Sequence, residues 1–100
     1  MNIEREIRLA VDTGKVTIGH RETLRAVKNK EVKLVVVASN CPKDLKEDLV
    51  YYARVMNVPF FEFEGTSLEL GSVCGKPYVI SMLGIIDPGE SSILELERRR

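Results

Sequence analysis

One hundred residues, 44% of them hydrophobic and 30% charged, describe one globular domain with a single core and no need of staples. Two cysteines without metal-ligand spacing and a single histidine exclude a zinc site. The longest mainly apolar run, Tyr78 to Ile86, is about half of what a membrane span needs. Met1 to Thr13 is too charged for a signal peptide, so an intracellular, soluble protein is expected. The high, mixed charge suits a heat-adapted protein.

Ile3, Ile7, Ala10 and Val11 recur at helical spacing and Gly14 follows as a stop, which predicts a first helix. Lys15 to Ile18 is short and β-branched, a brief strand ending at Gly19. The helical period returns from His20 to about Asn29, with Thr23, Leu24, Ala26 and Val27 to one side. Lys33 to Ser39 is a continuous apolar run, the pattern of a strand buried on both faces. Asn40, Cys41 and Pro42 offer a polar cap and a first-turn proline to the strongest amphipathic helix, carried by Leu45, Leu49, Tyr52, Ala53 and Met56. That helix stops at Asn57. Phe60, Phe61 and Phe63 lie in a short strand, and Thr66 with Glu69 has capping-box spacing for a helix from Ser67 towards Cys74, closed by Gly75. Tyr78 to Ile86 reads as another buried strand, Asp87-Pro88-Gly89 as a turn, and Ile93, Leu94 and Leu96 as a last partial helix before three arginines. Alternating strands and helices make this an α/β domain with helices on both faces of the sheet.

The charge balance is neutral overall but not along the chain. Between Lys15 and Lys33 six cations stand against two carboxylates, a surplus of four that the rest of the chain cancels. On a helical wheel Arg25 falls about 40° from Arg21 and Lys28 about 20° from it on the other side, so the three form one stripe. A solvated outer face is the plain reading of such a stripe. Gly19 raises another. A glycine immediately before the helix lets a backbone approach the first-turn N–H groups, and dipole, amides and cations then converge on one polyanion. The cations extend along about two turns, which suits nucleic acid better than one phosphate group. Loops leaving the same strand ends cluster in an α/β sheet. Ser39 to Pro42 would add the Asn40 amide, and Leu70 to Tyr78 apolar and aromatic groups for stacking on an unpaired base.

Cys41 stands where a thiol enzyme would place its nucleophile, after a buried strand and at a helix start. Its partners are missing: no arginine follows closely to cradle a phosphate, and no second cysteine stands two or three residues away. With no phosphate-loop or dinucleotide fingerprint either, the residue reads as structural and the chain as neither an enzyme nor a holder of a cofactor.

Ordered matches run through nearly the whole chain: Gly14 to Gly19, Ala38-Ser39-Asn40, Lys46 to Arg54, Phe63 to Gly71 and Asp87 to Ser91. Together they resemble the archaeal and eukaryotic L-thirty-e family of large-subunit ribosomal proteins, within a superfamily of kink-turn RNA binders. The resemblance implies a single domain over residues 1–100, folded as a three-layer α/β/α sandwich around a four-stranded mixed sheet. It implies a cytoplasmic, ribosome-associated protein that binds ribosomal RNA and meets other ribosomal components; a monomer is expected because no large apolar surface stripe is left unaccounted for. Gly19, His20, Arg21, Glu22, Thr23, Arg25 and Lys28 would grip the bent backbone and base edges. Asn40 would add a polar contact, and Gly75, Lys76 and Tyr78 would flank an extruded base. Relatives outside this branch, among them kink-turn proteins of guide-RNA particles, carry Gly-x-Asn-Glu-x-x-Lys where this chain has Gly19-His20-Arg21-Glu22-Thr23-Leu24-Arg25. Arg21 in place of the asparagine favours the ribosomal branch. Glu22 has two open roles, reading a guanine edge or balancing Arg21.

Overall fold

The computed structural model of the chain describes residues 2–98. In order these are α1 (Ile3–Thr13), β1 (Lys15–Ile18), α2 (His20–Lys28), β2 (Leu34–Ala38), α3 (Lys43–Val55), β3 (Phe60–Phe63), α4 (Ser67–Val73), β4 (Met82–Asp87) and a single turn, α5 (Glu95–Arg98). The sheet order is β1-β4-β2-β3, with β4 antiparallel to both β1 and β2, and β2 parallel to β3. The expected mixed sheet and sandwich are both present.

Strand β2 sets the layers because it has no exposed residue. The pleat sends Leu34, Val36 and Ala38 into one core with Ile7, Leu70, Leu83 and Ile93, beneath α1 and α4. Val35 and Val37 go the other way, to Ala26, Val27, Leu49, Ala53 and Met82, beneath α2 and α3. The continuous apolar run in the sequence is therefore two alternating faces, both covered.

Helices α2, α3 and α4 end alike. In each, the second residue past the last helical one turns into the left-handed region, and two crossed backbone bonds close the end. For α2 these are Lys30 N–H to Val27 O (2.9 Å) and Glu31 N–H to Ala26 O (2.8 Å); for α3, Asn57 N–H to Arg54 O (3.2 Å) and Val58 N–H to Ala53 O (2.8 Å); for α4, Gly75 N–H to Ser72 O and Lys76 N–H to Gly71 O, both 2.9 Å. The turning residues are Lys30, Asn57 and Gly75, with φ of 55°, 56° and 74°. Only the last is a glycine, so Lys30 and Asn57 carry the modest strain that a β-carbon brings there.

Two expectations need correction. Asn40 does not cap α3, whose N-cap is Pro42 without any side-chain bond. Its Oδ1 accepts instead from Ser67 N–H at 2.7 Å, helping to start α4, twenty-seven residues on. The capping box at Thr66 and Glu69 is present as the spacing predicts. The last long strand begins at Met82, not Tyr78. Gly71 has no β-carbon to push away the carbonyl of Tyr78, so residues 78–79 lie against α4. Ile80 N–H then bonds Ser67 O at 3.0 Å instead of a strand. Ile80 is buried, but Tyr78 and Val79 are 50% and 59% exposed. An apolar run records burial more faithfully than ladder pairing.

One polar contact lies inside the α2 layer. Thr17 on β1 and Thr23 on α2 share a buried hydroxyl–hydroxyl bond of 2.9 Å. Gly84 on β4 makes room for it, since a β-carbon there would meet Thr17 Oγ1, with Val32 at 2.9 Å and Thr23 Cγ2 at 3.3 Å. Thr23→Val leaves the Thr17 hydroxyl buried without its partner, and the expected loss is about 1–2 kcal/mol in urea unfolding. Replacing both threonines by valine removes donor and acceptor together. The double variant is expected to be no less stable than the single one, and a larger, additive loss would show that the pair does not act as a unit.

Candidate nucleic-acid interface

Topology alone brings three loops to one end of the sheet. Strands β1 and β2 finish where β4 begins, because β4 is antiparallel to both. Backbone bonds join the loops there: Gly19 N–H to Met82 O and Ala38 N–H to Ser81 O, both 2.9 Å, and Ser39 N–H to Gly65 O at 3.0 Å. Gly19, the end of β2 and the segment entering β4 are thus held in a fixed relation by backbone bonds.

Gly19 has φ 93° and ψ 159°, a conformation open essentially to glycine alone. A β-carbon on it would meet nothing within 4 Å, so conformation and not crowding demands the glycine. No side chain caps α2. The amides of His20, Arg21 and Glu22 begin a nine-residue helix with no intrahelical acceptor, at its positive end.

His20, Arg21, Arg25 and Lys28 are all exposed and, with Leu24, line a shallow depression along α2. The members of this stripe differ in freedom. Arg25 donates to Glu22 at 3.0 Å and lies 3.8 Å from Glu31, and the Glu22 hydrogen bond raises its pKa further. Glu22 therefore balances Arg25, not Arg21. Lys28 Nζ sits 4.5 Å from the centre of the Tyr52 ring, which Tyr51 meets edge-on at 5.1 Å. Arg21 has no ion-pair or cation–π partner among the described residues.

Thr23 is a correction: its side chain is fully buried and occupied with Thr17, so it cannot touch a ligand from this surface. Helical periodicity already turned it inward. Asn40 is exposed, with Oδ1 engaged by Ser67 and its N–H2 left as the donating edge. Gly75 and Lys76 close the far end of α4, roughly 10 Å along the helix from the Ser67 end that meets Asn40. They form the rim of the loop cluster, not its centre. Tyr78 is exposed between the two, and Val79, which the sequence pattern assigned to a buried strand, is exposed beside it.

The basic segment is also divided. Lys15 and Lys33 lie at the opposite end of the sheet, where Lys15 faces Asp87 and Lys33 N–H bonds Ile85 O, and Lys30 and Lys33 together line a second, separate depression. The other cations lie on α2, the helix that starts at the loop cluster, with Arg21 in its first turn and Arg25 and Lys28 in its last.

Neither cysteine is activated. Cys41 is 8% exposed and burial raises its pKa. Cys74 is 2% exposed and is pushed up to about 11, mainly by burial. A thiolate nucleophile at Cys41 is thus contradicted by its surroundings. The raised Cys74 value means that the folded chain keeps a proton that the unfolded chain gives up. Stability from this group is full below about pH 9 and declines as pH rises through about 11. Urea unfolding at stepped pH should show a Cys74→Ala variant losing less stability over that window than the unaltered chain; parallel curves would contradict the assignment.

Among the described residues no group of three or more His, Cys, Asp or Glu side chains could hold a metal ion, and no helix is long and apolar enough to cross a membrane.

Comparisons with known proteins agree on the kind of molecule. The chain is 55% identical to a large ribosomal subunit protein eL30 from Methanothermobacter thermautotrophicus, over 96% of this chain and 98% of that one. It is 50% identical to the protein of the same name from Methanocaldococcus jannaschii, over 100% of this chain and 91% of that one. Both names are those of a ribosomal component and not of an enzyme. A solved structure of a protein of unknown function from Bacillus halodurans superposes with a TM-score of 0.84, over 99% of this chain and 98% of that one. At 23% identity it supports the fold alone. Residues 1–95 match the Ribosomal protein L7Ae/L30e/S12e/Gadd45 family. The chain belongs to that family.

Proposed function

We propose that this protein is a structural component of the large ribosomal subunit that grips a kink-turn-like internal loop of ribosomal RNA. The whole chain acts as one RNA-binding domain, monomeric when free and cytoplasmic on the ribosome among other ribosomal components. The observation that carries this reading is the meeting of three chemically different groups at one sheet end. The uncapped α2 start with Arg21 and Arg25 suits phosphates, Asn40 offers an amide to a base edge, and exposed Tyr78 and Val79 offer an apolar surface to an unpaired base. Glycines at 19 and 75 keep both flanking turns in conformations that favour that residue. RNA that bends sharply and turns a base outward presents these three features together, whereas a straight duplex presents only phosphates.

The names of the relatives favour the ribosome over guide-RNA particles as the address. Arg21, unpaired, should contribute more than Arg25, which must leave Glu22 and Glu31 to reach a phosphate. In fluorescence titrations of a kink-turn RNA, Arg21→Ala is expected to weaken binding by roughly tenfold and Arg25→Ala by less. The double change should lower the slope of log affinity on log salt by about two. Unchanged affinity in the double variant would overturn this surface.

A further inference from the structure

Gly75 has a neighbour that no spacing in the sequence announces. A β-carbon added to it would lie 2.7 Å from both Cζ and Nη1 of Arg8, on α1. The guanidinium thus rests flat on the bare α-carbon of the third loop. Gly75 is required twice over, for its φ of 74° and for this close approach. Asp12, one turn on, accepts from Arg8 Nε at 3.0 Å and fixes the plane of the group. Among the described residues the two terminal nitrogens make no hydrogen bond, and the side chain is 51% exposed. A planar fork held at its base and open at its tip is the arrangement that suits a phosphodiester. Lys76 follows Gly75 directly, and both cations are close enough to act on the Cys74 thiol. The exposed Tyr78 is therefore bracketed: Arg21 and Arg25 stand on the α2 side, Arg8 and Lys76 on the α1 and α4 side.

We infer that Arg8, with Lys76, forms a second phosphate contact at the rim of the third loop, which holds the RNA strand leaving the internal loop on the side opposite α2. The inference rests on the RNA-binding reading above. A sharply bent RNA carries two stems away from one internal loop, so its backbone passes both sides of the aromatic group. A one-sided grip would leave the second stem unheld. Phosphate neutralisation at this rim adds to affinity without adding base specificity.

The test is a salt-series titration of a kink-turn RNA with both stems long, using the unaltered chain, Arg8→Gln and Arg8→Lys. Arg8→Gln is expected to weaken binding roughly three- to tenfold and to lower the salt slope by about one, with Arg8→Lys restoring the slope. Shortening one of the two stems should abolish the difference between the unaltered chain and Arg8→Gln, and shortening the other should preserve it. If Arg8 only covers Gly75, Arg8→Gln will lower the melting temperature but leave affinity and slope as they were, and the inference falls. A difference that survives shortening of each stem in turn would also overturn it. Failure of the unaltered chain to bind the RNA at all would remove the underlying RNA reading first, a result distinct from either.

Discussion

The orientation of α2 depends on a hydroxyl pair. Thr17 and Thr23, 2.9 Å apart and out of reach of water, tie the first turn of the helix to the strand that precedes it, in the space Gly84 leaves open. Between them the chain reverses through Gly19, whose N–H is held by Met82 O. Strand, turn and helix start thus behave as one rigid piece. With the strand fixed in the sheet, the free amides at the start of α2 and the cations along its outer side have a set direction. The proposed RNA surface would need that rigidity, because exposed side chains such as Arg21 would lose conformational entropy on binding and the scaffold should lose none.

The opposite rim follows the same logic with different parts. Gly71 admits the backbone of residue 78 against α4, the crossed bonds at Gly75 end the helix, and Asn40 ties the start of α4 to the end of β2. Backbone geometry and three bridging side chains, Thr17, Thr23 and Asn40, together set the shape of the site. A chain that is neutral overall can therefore present a local positive surface. Arg21 stands beside the loop cluster, while Lys15, Lys30 and Lys33 stand at the other end of the sheet.

Much of this was legible beforehand, for identifiable reasons. Periodicity and stop residues located α1, β1 and α2 closely, since each is bounded by a glycine or a polar turn. The Thr66 capping box was readable because both partners are local. What escaped depends on partners distant in sequence. Asn40 looked like the cap of the helix just after it, and only the sheet topology reveals Ser67 as its partner. Tyr78 and Val79 looked buried because Ile80, Met82, Leu83 and Ile85 after them are buried. Glu22 is a local exception: expected to read a guanine edge or balance Arg21, it pairs with Arg25 three residues on. Arg8 carried no signal at all, because the residue it packs on is a glycine sixty-seven residues away.

The central claim is recognition of RNA shape, and it is tested most directly by titrating the unaltered protein against two RNAs. One is a kink-turn with its tandem G·A pairs, and the other has the same strands with those pairs changed to Watson–Crick pairs, each measured at several salt concentrations. The account expects tight binding to the first and weak, steeply salt-dependent binding to the second. Equal weak binding to both would mean that the α2 stripe is only a charged face, and that the convergent loops serve some other ligand.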